Sequence, residues 1–124
     1  MAAKIALEEH VLCPGFEGYW RATVADVDPA ILGHISARLS DFGEQRLKSM
    51  DDAGISRAVL SLAGPGVQAE RNTATAIRNA RAANDFLARE VAKRPDRYAG
   101  FAHLPMQDAK AAADELERAM RARK

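Results

Sequence analysis

Cysteine, histidine and aromatic residues are all scarce in this chain. One cysteine, Cys13, occurs in 124 residues, so neither an internal disulfide nor a cysteine-rich zinc site can form. That excludes a small disulfide-framed scaffold and points to a reducing, cytoplasmic setting. No run approaches the ~20 apolar residues of a membrane span, and the opening from Met1 to Lys4 lacks the charged-then-apolar layout of a secretion signal. Net charge is only +1 and aromatics are 6% of the chain. Nucleic acid, which needs a basic surface and stacking rings, is therefore not expected as a partner, and neither is a membrane. Neither a Gly-x-Gly-x-x-Gly nor a Gly-Lys-Ser/Thr motif occurs, which removes the usual nucleotide-binding loops.

The chain has ample material for a core: 48% of it is apolar and 28% charged, ordinary figures for one small soluble domain. Charge is uneven. Residues 1–62 hold six basic and nine acidic side chains, residues 63–124 twelve and eight. Acids interrupt the arginines, so this excess reads as solvated helix faces.

Periodicity predicts three strand–helix units. A strand covers about 4–10 and turns polar at Glu8-Glu9-His10. Residues 11–34, with Pro14, Gly15, Gly18, Pro29 and Gly33, read as a long irregular stretch, and loops of that length are often functional. A helix then starts at Asp41, with Glu44 completing a capping box, carries Leu39, Phe42, Leu47 and Met50 at helical spacing, and stops at Gly54. A buried strand over 57–63 ends in the turn Gly64-Pro65-Gly66. A helix over 71–93 shows Ile77, Ala80, Leu87 and Val91 on one stripe, and Pro95 closes it. Tyr98 to Leu104 reads as the third strand. Asp108 caps a last helix with Ala112, Leu116 and Met120 in line, running into residues 121–124 without a stop. A β-α-β-α-β-α order implies parallel strands with right-handed crossovers.

Glu8 and His10 are the sharpest chemical signal. Two apart on a strand, they share a face, and a carboxylate with an imidazole suits one divalent metal ion; the same spacing also suits a solvated strand end. Glu9 points the other way, toward a salt bridge. His103, at the end of the third strand, faces either the same pocket or a half-buried site of its own. His34 lies at the edge of the long loop without an obvious partner. Ala63-Gly64-Pro65-Gly66, between a strand and a helix, is a tight turn that could line a pocket or cradle phosphate. Cys13 has no base nearby in sequence, and Tyr19-Trp20 either anchors the long loop or packs on an aromatic ligand.

Several stretches together resemble a known family. Lys4-Ile-Ala-Leu-Glu-Glu-His10 resembles the opening of the amidohydrolase-related (amidohydrolase 2) aromatic decarboxylases, of the γ-resorcylate and 2,3-dihydroxybenzoate type. Arg46-Leu-Lys-Ser-Met-Asp-Asp-Ala-Gly-Ile55, Val59-Leu-Ser-Leu-Ala-Gly-Pro-Gly-Val-Gln68, Ala82-Ala-Asn-Asp-Phe-Leu87, Arg94-Pro-Asp-Arg-Tyr98 and Phe101-Ala-His-Leu-Pro-Met-Gln-Asp108 follow in the family's order. The resemblance covers nearly all of the chain outside 11–40.

This resemblance implies an α/β fold, the N-terminal β-α-β-α-β-α portion of a (β/α)8 barrel. Such a barrel takes about 250 residues, so 1–124 would be about three of its eight units, truncated at the C-terminus. It implies a divalent metal, zinc or manganese, at the C-terminal face, no organic cofactor, and loss of carbon dioxide from a small aromatic carboxylic acid. Glu8 and His10 match the family's first two metal ligands; the Glu-x-His form separates the decarboxylases from relatives opening with His-x-His. Ala63, Gly64 and Pro65 match the turn that lines the substrate pocket. The family's later histidine ligand, late aspartate and second catalytic histidine fall beyond residue 124, and a small residue is usual at the position of His103. No catalytic residue is then expected within this segment, and no activity from it alone. The remainder of the barrel, or a second copy of the chain, would cover its open side. A non-catalytic α/β binding or assembly module and an amidohydrolase-type hydrolase are the other readings, with a phosphate-binding domain last.

Overall fold

A computed structural model of the chain describes residues 2–121. The elements are β1 (Lys4–Val11), α1 (Glu17–Arg21), a 3-10 turn (Ala22–Val24), α2 (Pro29–Leu39), α3 (Glu44–Asp52) and β2 (Ile55–Leu62). A second 3-10 turn (Gly66–Ala69), α4 (Thr73–Lys93), β3 (Tyr98–Gly100) and α5 (Ala109–Arg121) follow. The strands form one parallel sheet in the order β1-β2-β3, as the alternation predicts. The expected run of the last helix into 122–124 lies outside the described residues. No helix among the described residues is long and apolar enough to cross a membrane.

The core lies on one face of the sheet. Ala58, Leu60 and Leu62 alternate along β2 and are buried. Against them α4 presents Ala76, Ala80, Ala83 and Leu87, small residues that let the helix approach the sheet closely. The stripe is rotated from the expected one: Ile77 and Val91 are only half-buried at its rim. Asn72 caps α4 by accepting the Thr75 N–H at 2.9 Å. Tyr98 is fully buried, and its hydroxyl donates to the Phe42 carbonyl at 2.8 Å.

Four expectations need correction. The 11–34 stretch is not irregular throughout: α1 lies within it, and α2 begins at Pro29. Asp28 caps α2 by accepting the Ala30 N–H at 2.8 Å, and Pro29 loses nothing in the first turn, where its missing N–H has no partner. The helix is hard to read because Ile31 and Ile35 point to solvent and Gly33 sits inside it. His34 is therefore an exposed helical residue. At α3, Glu44 does not complete a box with Asp41; Gly43 is the cap position, and the Asp41 carboxylate accepts the N–H groups of Gly43 (3.1 Å) and Arg46 (2.7 Å) from outside the helix. β3 stops at Gly100, because after the Phe101 N–H bonds to Leu60 O (2.8 Å) the backbone of His103 is taken by the side chain of Asn84 instead. Finally, α5 docks through Ala112 and Glu115, leaving Leu116 and Met120 exposed.

The other side of the sheet is uncovered. Ile5 and Leu7 on β1 are 60% and 61% exposed, and Phe101 after β3 is 54% exposed.

Candidate metal centre

β1 and β2 place the acidic strand end. Their register pairs Glu9 with Leu60, His10 with Ser61, and Val11 with Leu62. Registered neighbours project to the same face, and Leu60 and Leu62 are in the core. Glu9 and Val11 therefore turn toward the helices, while His10 and Ser61 turn to the opposite side. Glu8, on the other side of Glu9, is exposed like His10. A register shift, a bulge, lies between Ala6 and Glu9 and so takes in Glu8; bulges of this kind re-aim side chains. His10 Nδ1 lies 3.1 Å from Ser61 Oγ.

A buried arginine holds this strand end from the helix side. The Arg46 side chain, on α3, is 10% exposed. Its Nε donates to Asp41 O (2.9 Å). Nη2 donates to His10 O (2.9 Å) and Arg38 O (3.3 Å), and Nη1 to Glu9 Oε2 (3.4 Å). One guanidinium thus ties β1, the last turn of α2 and the approach to α3. The expected salt bridge of Glu9 is this one.

The turn beyond β2 emerges at the same edge. Ala63 N–H donates to Val11 O at 2.9 Å, extending the ladder one step past β2, and Gly64 and Pro65 follow through a cis peptide bond. Gly64 is exposed; Ala63 and Pro65 are half-buried. Ala63, Gly64 and Pro65 thus leave the sheet next to Val11, the residue after His10.

His103 does not join Glu8 and His10. Its Nε2 accepts the Val67 N–H at 3.0 Å, and Phe16 meets its ring edge-on at 6.0 Å. Gly66 has φ +56°, and a Cβ there would run into the His103 ring. Gln107 Nε2 donates to the Glu70 carbonyl (2.9 Å), and Gln68 Nε2 to Leu104 O (2.7 Å). Burial pushes the His103 imidazole below its ordinary pKa, which suits its role as acceptor. Behind it, Asn84 accepts the His103 N–H (2.7 Å) and donates to His103 O (2.9 Å) and to Glu115 Oε1 (2.8 Å). Burial pushes Glu115 up, but bonds from Arg118 and Asn84 outweigh it and hold the carboxyl below the usual range.

Two other candidates are structural. Cys13 is buried, and burial, reinforced by Glu17, pushes its thiol up to about 12, so it is no nucleophile. Tyr19 donates to Glu70 Oε2 (2.7 Å), accepts from Asn79 Nδ2 (3.0 Å) and meets Phe16 edge-on, so it anchors α1.

As donors, Glu8 and His10 fit a divalent ion such as manganese or zinc: a carboxylate oxygen and an imidazole nitrogen at an exposed strand end. Among the described residues no group of three or more His, Cys, Asp or Glu side chains gathers, so Glu8 and His10 meet no third such side chain there. Sequence reasoning missed Ser61, Arg46 and Asn84. Each left a trace, as a polar residue inside an apolar strand or helix stripe, but its partner lies far away in sequence.

The amidohydrolase family model matches residues 19–124. The chain belongs to the amidohydrolase family. Among the relatives of this chain is the γ-resorcylate decarboxylase of Rhodococcus jostii, 48% identical over 122 residues, covering 95% of this chain and 35% of that enzyme. The crystal structure of a dihydroxybenzoic acid decarboxylase from Polaromonas sp. JS666, with bound manganese and the inhibitor 2-nitroresorcinol, superposes with a TM-score of 0.89 at 44% identity. It covers 98% of this chain and 36% of that one. A 2,6-dihydroxybenzoate decarboxylase complexed with 2,6-dihydroxybenzoate has the same TM-score, identity and coverage. The chain thus spans about a third of the length of the curated relatives it matches, and its α/β fold is that of part of the family's TIM barrel.

Proposed function

We propose that this chain is the N-terminal part, about three of eight β/α units, of a metal-dependent, non-oxidative decarboxylase of phenolic carboxylic acids of the dihydroxybenzoate class. The observation that carries this reading is its 44–48% identity, along nearly the whole chain, to decarboxylases of such acids, with an exposed carboxylate–imidazole pair on β1. Glu8 and His10 would hold the ion, zinc or manganese. When bound, it supplies positive charge for the carboxylate and phenol oxygens and for the anion that develops as carbon dioxide leaves.

The chain's own residues divide the remaining work. Ala63, Gly64 and Pro65, with little side-chain bulk beside His10, form a low wall against which a flat aromatic acid can lie. Replacing the carboxyl group requires a proton at the ring carbon, and no group described here is placed to give one. Glu9 is engaged by Arg46, His103 by Val67, and the Cys13 thiol is buried. The general acid and the remaining ligands therefore come from outside this chain, and the chain alone does not decarboxylate.

Exchange of residues 1–124 into the Polaromonas decarboxylase tests both statements. The chimera should bind manganese and convert 2,6-dihydroxybenzoate, and Glu8→Gln or His10→Ala should abolish turnover and metal retention. Turnover by the isolated 124-residue chain would overturn the partial-site reading. A chimera indifferent to Glu8→Gln would overturn the ligand assignment.

A further inference from the structure

A histidine ligand has two ring nitrogens, and the one left for the ion is set by what holds the other. In His10, Nδ1 is held by Ser61 Oγ at 3.1 Å. The contact is built into the sheet: His10 and Ser61 are register partners on β1 and β2, on the face away from the core. Ser61 is the single polar residue in the run Val59-Leu60-Ser61-Leu62-Ala63. The backbone of His10 is fixed as well, by Arg46 Nη2 on its carbonyl at 2.9 Å. Ring and main chain are thus both constrained, and the constraint on the ring comes from one hydroxyl.

We propose that Ser61 is a positioning residue for His10: its oxygen accepts the Nδ1–H, so that Nε2 carries the free lone pair and is the nitrogen presented to a divalent ion. This rests on the metal reading of Glu8 and His10 proposed above. Ser61 is half-buried, so its own hydroxyl proton can turn to water. A neutral imidazole without a partner prefers its proton on Nε2, the nitrogen the ion needs bare. Removing the hydroxyl therefore returns the ring to the wrong tautomer and releases its rotation.

Two readouts test this, the first on the full chain and the second on the chimera with the Polaromonas decarboxylase. Ring 15N–1H correlation spectra, recorded at a single pH of about 8 where imidazole is neutral, report the His10 tautomer. The wild-type ring should be protonated at Nδ1, and Ser61→Ala should move it toward Nε2–H. Manganese alone, titrated by electron paramagnetic resonance into the chimera, should bind about 10–100-fold more weakly with Ser61→Ala, and Ser61→Thr, which keeps the hydroxyl, should restore most of that loss. Backbone amide spectra show whether each variant is folded, and Ser61→Thr keeps the test open if Ser61→Ala is not. A wild-type ring already protonated at Nε2, or a tautomer unchanged in Ser61→Ala, overturns the proposal. The expected tautomer change with a wild-type chimera that binds no manganese would sink the metal reading and leave the Ser61–His10 coupling in place.

Discussion

At the residue scale, His103 shows how one side chain can hold a turn. Its Nε2 accepts the Val67 N–H, and its ring fills the space that Gly66 leaves by having no Cβ. Burial lowers its folded pKa, so the folded chain takes up a proton less readily than the unfolded chain. Its contribution to stability is complete above the unfolded value of about 6.5 and is lost as the pH falls from there toward the lower folded value. Urea midpoints of wild type and His103→Phe measured from pH 8 to pH 5 should converge in that window, because only wild type has an imidazole at 103 that the unfolded chain protonates there. Parallel curves would mean that His103 does not titrate with unfolding. The sequence names His103 as a strand-end histidine but cannot show its partner, which lies 36 residues earlier.

At the scale of elements, Arg46 joins pieces that periodicity treats separately. It reaches the end of β1, the last turn of α2 and Asp41 ahead of α3. Arg46→Ala leaves three carbonyls and Glu9 without their charged donor, and should lower unfolding stability by about 2 kcal/mol. Lys48→Ala removes only the exposed Lys48–Asp52 pair of α3 and should cost no more than about 0.5 kcal/mol. Equal urea midpoints for the two variants would show the Arg46 network to be idle. α2 and the short β3 explain what pattern reading misses. A helix without a buried apolar stripe has no 3.6-residue signal beyond its Asp-Pro start. A strand ends where its ladder ends, and at residue 103 a helix side chain, Asn84, takes the backbone over.

At the scale of the whole molecule, the uncovered face matters most. Ile5, Leu7 and Phe101 are more than half exposed, and β1 and β3 are both edge strands. Apolar faces and open edges favour association. The isolated chain should sediment as concentration-dependent oligomers, and Leu7→Lys with Phe101→Lys should shift it toward monomer. A wild-type chain that stays monomeric across the accessible concentration range would show that the face is tolerated in water.

The sequence by itself determined the α/β class, the parallel order of three strand–helix units, the Glu8–His10 pair and the turn after β2. These are local signals: a period, a breaker, a spacing of two. It also carried the family likeness, in motifs spread over the chain outside 11–40. Only the tertiary structure decided that Ser61 meets His10, that Arg46 gathers three segments, and that His103 serves the turn at Val67 and does not join Glu8 and His10. The Ser61–His10, Arg46–His10 and His103–Val67 contacts join residues 36 to 51 positions apart. They depend on strand register and helix rotation, and no local periodicity encodes either.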